Sequence, residues 1–278
     1  MSIQVVKADG TSEVFRVEKL KQSLKRAGAT KVEITSIISQ IERTLYDGIK
    51  TQEIYRHAFE LLRESDKPAQ ARYSLRRALF GLGPTGFPFE DFLAKMFENE
   101  GYTTRTGIEL QGHGALHELD VAAYNDTDSF VVEAKFHSRP GVKSDLQVVM
   151  YSYARLLDLR DTKICSTDIC SIKRLMVITN TKFTSTAETY AETVGLELLS
   201  WNYPKGNNLQ DRIQKAGLYP VTVLQSISQS QKKTLLAAGI ITCKDLINKP
   251  QTLRHIHIST TKMQKILAEA DTLCNQTN

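Results

Sequence analysis

Apolar residues along this chain keep two different rhythms, and the places where the rhythm changes divide it into segments. Ile3-Gln4-Val5-Val6-Lys7 and Glu13-Val14-Phe15-Arg16 read as short strands joined at Asp9-Gly10, and an Asp-Gly step between apolar runs is a hairpin signal. Helical spacing follows. Val17, Leu20, Leu24 and Ala27 share one face, and Ile34, Ile37, Ile38, Ile41 and Leu45 share another. Thr51 and Glu53 mark the start of a third helix. The run Gly81-Leu82-Gly83-Pro84-Thr85-Gly86-Phe87-Pro88 then breaks the pattern.

Beyond that break, Phe89, Phe92, Leu93, Met96 and Phe97 predict an amphipathic helix. Two strand-like runs come next, Leu116–Tyr124 and Ser129–Phe136, separated by the turn-forming Asn125-Asp126-Thr127-Asp128. A helix over Ser144–Leu159, a buried parallel-type strand over Leu175–Thr179, a helix over Thr184–Val194 and a strand over Leu196–Trp201 complete this part. A second break lies at Asn202–Asn208, and from Tyr219 onward the spacing is helical, punctuated by Gly239. The expected fold is a multidomain α/β protein of three units. Residues 1–84 are mostly helical with a small hairpin, 85–205 form an α/β sandwich with its site near one sheet edge, and 206–278 form a small all-helical unit.

Composition changes this picture only at a few points. No run approaches the roughly 20 apolar residues of a membrane span, and Met1–Asp9 lacks the layout of a secretory signal. Cys165 and Cys170 match neither a redox pair nor a zinc knuckle, so reduced thiols, no disulfide and a cytoplasmic location are expected. The net charge is +5, and from residue 211 onward nine lysines and arginines face four acidic residues. That field suits a phosphate-rich partner, while an ordinary solvated helical surface has the same composition. His113, His117 and His137 form no zinc-ligand grouping and are expected to be solvated, with a nucleic-acid contact open for the last two.

The two central strands carry the chemistry. A hairpin symmetric about Asp126-Thr127 pairs residue 124 with 129 and 120 with 133, which sets Asp120 across from Glu133. Alternation puts Lys135 on the same face as Glu133. Two facing carboxylates can hold Mg2+ (or Mn2+), and an ammonium beside them can orient a water or neutralise developing charge. A cross-strand ion pair without catalysis uses the same residues. However, Val131, Val132, Ala134 and Phe136 mark a core strand, where an unpaired charge is costly.

The order Glu90 on a helix, Asp120, then Glu133-Ala134-Lys135, then a helix and a strand resembles the PD-(D/E)xK superfamily, nearest its Mrr-like restriction endonucleases. Gln147, with Tyr151 one turn later, resembles the QxxxY element of some of these enzymes. The resemblance implies a Mg-dependent DNA endonuclease leaving 5′-phosphates, with Asp120 and Glu133 on the metal, Lys135 at the water, and Glu90 and Gln147 in support. Val5-Val6-Lys7-Ala8-Asp9-Gly10, Glu13, Lys19 and Tyr46–Thr51 resemble an ATP-cone. That likeness implies ATP or dATP as effector, phosphates on Lys7 and Lys19, and Glu13 and Thr51 near the nucleotide. Ala8 and Tyr55 stand where that family carries a basic residue and a histidine. Ala238–Leu246 and Ile256–Ser259 resemble helix-hairpin-helix phrases, without the usual hairpin glycines. Together they imply a homo-oligomeric, nucleotide-regulated nuclease acting on DNA in prokaryotic defence or genome maintenance. The alternatives are a nucleotide-responsive DNA-binding regulator with an inactive nuclease scaffold, and a nuclease directed at RNA.

Overall fold

At Gly10 the chain takes φ of 81°, a conformation glycine adopts without strain, and closes β1 (Gln4–Val6) antiparallel on β2 (Ser12–Val14). The computed structural model describes residues 3–65, 67–165 and 170–275. Met1 and Ser2 of the first expected unit and residues 276–278 of the last lie outside them. Helices α1 (Val17–Arg26) and α2 (Lys31–Glu42) follow, the second opened by a Thr30–Glu33 capping box. A short strand β3 (Ile49–Lys50) pairs parallel with β1, which sets Thr51 beside the end of β1. From Thr51 the chain runs through α3 (Thr51–Ser65), α4 (Lys67–Tyr73) and α5 (Leu75–Phe80). Leu24, Ile37, Ile41 and Leu62 fill the core of this unit.

The central unit begins with α6 (Phe87–Asn99) and continues through β4 (Thr103–Gln111), β5 (Leu116–Tyr124) and β6 (Ser129–Lys135). Then come β7 (Lys143–Ser144), α7 (Leu146–Leu159), β8 (Arg174–Thr179), β9 (Lys182–Phe183), α8 (Ser185–Val194) and β10 (Glu197–Leu199). The main sheet has the order β10-β8-β6-β5-β4, antiparallel from β4 to β6 and parallel beyond. Helices α7 and α8 cover one face through Val149, Leu156, Ala187 and Ala191. On the other face, Phe89, Phe92 and Phe97 of α6 pack on Val121, Phe130 and Val132.

That second core continues into the C-terminal helices α9 (Leu209–Ala216), α10 (Gln229–Ala237), α11 (Cys243–Asn248), α12 (Thr252–His255) and α13 (Thr260–Asn275). Leu218, Leu235, Leu246 and Ile266 share it with Leu75 and Leu79 of α5, so the terminal helices bury their apolar sides against α5 and α6. Several of the basic residues counted there are used internally. The Lys232 ammonium donates to the Thr222 carbonyl at 2.7 Å, and Lys244 donates to Asn99 Oδ1 and the Ala216 carbonyl, both at 2.9 Å. Among the described residues no helix is long and apolar enough to cross a membrane.

The structure corrects three expectations. Cys165 and Cys170 form a disulfide, because the Ile164 amide donates to the Cys170 carbonyl and brings their Cα atoms to 5.4 Å. The site strands lie in the middle of the sheet, β6 being central, and not near an edge. Finally, β4 is a full strand whose composition (three threonines, an arginine and a glycine) hides it, as an edge strand has only one neighbour to satisfy.

Candidate active site

Glu133 lies on the central strand with 3% of its surface exposed, where an unpaired carboxylate is costly. Both of its oxygens are engaged, one by the ammonium of Lys135 and the other by the guanidinium of Arg155. Lys135 reaches it because residues two apart on a strand share a face, and its side chain keeps 36% of its surface open to solvent. Arg155 comes from α7, whose apolar side packs on the sheet. It also donates to the Glu118 carbonyl at 3.2 Å and to the Tyr151 hydroxyl at 3.3 Å, and its guanidinium lies 5.1 Å from the Tyr151 ring centroid.

Asp120 sits where β5 loses its regularity. Residues 121–124 pair with 132–129 in the expected register, but the ladder stops at Val121 and Val132. On the other side the described pairs skip Asp120 as well, opposite Gly107 with φ of 56°. Leu119 packs under α7 while Val121 packs under α6, so the alternation of the strand breaks at Asp120. Its carboxylate does not simply face Glu133 across a regular ladder. Instead, Oδ2 accepts the Ala134 amide at 2.6 Å and takes the place of a backbone acceptor.

The electrostatics follow from this geometry. Burial and the charge of Glu133 push the Asp120 carboxyl up to about 6, against the opposing Ala134 amide, Lys135 and Arg155. Glu90, in the first turn of α6 and half-buried, is pushed to about 7 by burial and then by Asp120, Asp91, Glu118 and Glu133. Glu90, Asp120 and Glu133 therefore share one field of like charge. Among the described residues no three acidic or histidine groups already converge as a closed metal set. The donor chemistry nevertheless fits a hard divalent cation, which takes carboxylate oxygens and would relieve the repulsion that raises Asp120 and Glu90.

Gln147 and Tyr151 lie at helical spacing on α7, but both are exposed, and no hydrogen bond to Gln147 is found among the described residues. The residue on that spacing that does reach the site is Arg155. Sequence reasoning missed it, although Gln147, Tyr151 and Arg155 recur every fourth position.

His113 is exposed, as expected of a solvated side chain, whereas His117 and His137 are partly buried. His117 pairs with Asp158 at 2.7 Å, and Asp158 in turn accepts the Gly114 and Ala115 amides. His137 Nε2 is 3.1 Å from Ser144 Oγ, and burial followed by the nearby Lys135 lowers its pKa. His113 reaches the Arg160 carbonyl at 3.2 Å. All three brace loops.

In the N-terminal unit, Glu13 accepts Lys19 at 2.8 Å and Lys7 at 2.9 Å, and these contacts hold its carboxyl below the usual range. Thr51 is not in that cluster. It shares a cavity with Lys7 on the neighbouring surface.

Three family models match successive parts of the chain. Residues 3–79 match a family model described as ATP cone domain, residues 84–203 one described as restriction endonuclease, and residues 219–274 one described as AF1548-like, C-terminal. An uncharacterized protein of Archaeoglobus fulgidus is 34% identical over 179 residues, which span 64% of this chain and 97% of that protein. The crystal structure of AF1548, described as a protein of unknown function, is similar with a TM-score of 0.54 and 31% identity, covering 68% of this chain and 98% of that one. The MspJI restriction endonuclease, in complex with a 27-mer oligonucleotide, aligns with a TM-score of 0.31 and 12% identity over 47% of this chain and 29% of that one.

Proposed function

The chain belongs to the AF1548-like family, with an ATP cone and a restriction-endonuclease-like unit, and from that premise we propose that it is a divalent-metal-dependent DNA endonuclease under nucleotide control. The observation that carries this reading is the buried Glu133, set beside Asp120 and Lys135 where β5 and β6 part. Asp120 and Glu133 would hold Mg2+ or Mn2+, with Glu90 close enough to share the charge. Such a cation supplies Lewis acidity toward a phosphate oxygen and an attacking water.

The chain's own groups do the rest. The Ala134 amide fixes Asp120 Oδ2, so one carboxylate is oriented before substrate arrives. Lys135 is partly open to solvent and would supply a cation to the attacking water or to negative charge developing on the phosphate. Arg155 compensates the buried charge of Glu133. ATP or dATP on Lys7, Glu13, Lys19 and Thr51 would change the assembly of a homo-oligomer and so gate cleavage. The helices after residue 206 would add phosphate contacts through the lysines not used internally. A role in defence or genome maintenance fits this combination.

One observation favours a second reading. Both Glu133 oxygens are already neutralised by cations, as in a structural ion pair, which suits a DNA-binding regulator that keeps the nuclease fold as a scaffold. Incubating plasmid with the protein, Mg2+ and ATP or dATP, beside Asp120→Ala and Lys135→Ala, separates the two. Cleavage by wild type and loss in both variants is expected. Equal cleavage by all three would sink the site assignment, and DNA retention with no metal-dependent cleavage would favour the regulator. Competition with RNA separates an RNA-directed enzyme.

A further inference from the structure

A cavity of about 240 Å3 lies between the N-terminal and central units. From the first unit it is lined by Lys7 at the end of β1 and Thr51 at the start of α3, and from the segment linking the units by Arg76 of α5. The central unit supplies Lys143 of β7 and Lys182 of β9. Those two lysines are direct partners in the parallel pairing of β7 and β9. Like charges set side by side on paired strands oppose each other, and among the described ion pairs none uses Lys143, Lys182 or Arg76. Burial, together with Arg76, Lys7, Lys143 and Lys19, lowers the Lys182 pKa. Arg76 stacks 5.8 Å from the Trp201 ring centroid and leaves its Nε buried with no acceptor among the described residues. The one acid on this wall, Asp9, is turned into its own loop, accepting the Thr11 amide at 3.1 Å and hydroxyl at 2.6 Å.

The same cavity is floored by a close backbone contact. Gly141 has φ of 93°, and a Cβ there would lie 3.1 Å from the Ala8 carbonyl group and the Asp9 amide. Gly141 belongs to the loop that leaves β6 directly after Lys135. Asn180 fastens that loop at His137, accepting its amide at 2.9 Å and donating to its carbonyl at 2.8 Å. The first unit's turn and the loop behind the candidate active site therefore meet at the wall of one basic cavity.

We propose that this cavity is a polyphosphate site shared by the two units, in which Lys143, Lys182 and Arg76 complete the phosphate contacts begun by Lys7 and Thr51, so that a nucleoside triphosphate pins the loop behind Lys135. This rests on the reading that the N-terminal unit takes a nucleotide, and it assigns the link by which that nucleotide reaches the nuclease unit. The cavity is smaller than the roughly 300–1,000 Å3 of a typical small-molecule pocket, so it suits a phosphate chain with sugar and base lying outside. Three cations without an ion pair among the described residues (Lys143, Lys182 and Arg76), the exchangeable Lys7, and a threonine hydroxyl at a helix start are the groups such a chain uses.

Titration calorimetry on the full chain with ATP, inorganic tripolyphosphate and adenosine tests it. ATP and tripolyphosphate should bind and adenosine should not. Lys143→Ala and Lys182→Ala should each weaken ATP by on the order of tenfold, as expected for loss of one charge-assisted contact, while Lys182→Arg should stay near wild type. Hydrogen exchange should show ATP protecting residues 137–143 in wild type and failing to do so in Lys182→Ala. Melting without nucleotide separates a lost contact from a lost fold, and Lys182→Arg decides the matter if Lys182→Ala is unstable. If Lys7→Ala abolishes ATP binding while the Lys143/Lys182 double variant binds within twofold of wild type, the shared site is wrong and a nucleotide site confined to the first unit stands. Absence of binding by both ATP and tripolyphosphate, or adenosine binding as well as ATP, overturns the proposal. Metal-dependent cleavage without nucleotide is scored separately, so the nuclease reading stands or falls on its own.

Discussion

Glu13 and Glu133 are each held between two cations, yet they sit in opposite dielectric settings. Glu13 keeps 29% of its side chain exposed and is bridged by two flexible lysines, Lys7 and Lys19. Glu133 keeps 4%, and is bridged by Lys135 and by an arginine anchored on α7. A surface bridge contributes little and is readily exchanged, so the lysines of Glu13 could turn to a phosphate under the proposed function. A buried bridge is different: removing one partner strands a charge in a medium that cannot solvate it. The first arrangement suits a reversible sensor and the second a preorganised site. The same local motif, a carboxylate between two cations, is thus set in two different physical environments according to burial.

Removing each glutamate should separate the two sites most widely. Glu133→Ala strands Arg155 and should cost about 3–5 kcal/mol of stability in denaturant unfolding. Glu133→Gln, which keeps the volume, should abolish metal-dependent cleavage even where the fold survives. An intermediate effect is expected from Arg155→Met, which leaves Glu133 with Lys135 alone. It should lower the stability of the metal-free protein by about 1–3 kcal/mol, and Mg2+ should restore more of it than in wild type, read as melting temperatures with and without the cation.

A pH series sharpens the contrast further. Asp120 and Glu90 are raised to about 6 and about 7, so the folded state holds protons that the unfolded chain has already released. Their contribution to stability is complete below the ordinary carboxylate values and is lost as pH rises through 6 to 7. The metal-free protein should therefore lose stability between pH 5 and 8, and the gain from Mg2+ should be larger at pH 8 than at pH 5. Glu13 has the opposite sign. Its lowered pKa contributes stability above its ordinary value of 4.5, lost as pH falls through the depressed value. The smallest effect belongs to Glu13→Gln, which should change stability by under about 1 kcal/mol, and by less at high salt.

The buried site was legible in the sequence to the extent that it rests on strand periodicity. Val121, Val131 and Val132 announce two core strands, and the Asn125–Asp128 turn sets a register that the structure keeps from Tyr124–Ser129 to Val121–Val132. What periodicity cannot express is its own interruption, so the turn of Asp120 onto the Ala134 amide was hidden. Arg155 was hidden for another reason: its reach to Glu133 depends on how α7 crosses the sheet, a property of packing. The strand β4 escaped because its outer side answers to solvent. The junction of Gly141 with Ala8 joins positions far apart in the chain, a proximity that no local pattern can express.

The central claim is that Glu133 and Asp120 form a cation-binding site and not a structural ion pair, and Mn2+ titration followed by electron spin resonance tests it most directly. Wild type should bind Mn2+ at one saturable site that Mg2+ displaces. Asp120→Asn and Glu133→Gln should lose it, while Glu13→Gln should keep it. Mn2+ binding that is absent from wild type, or unchanged in Asp120→Asn, would contradict the account.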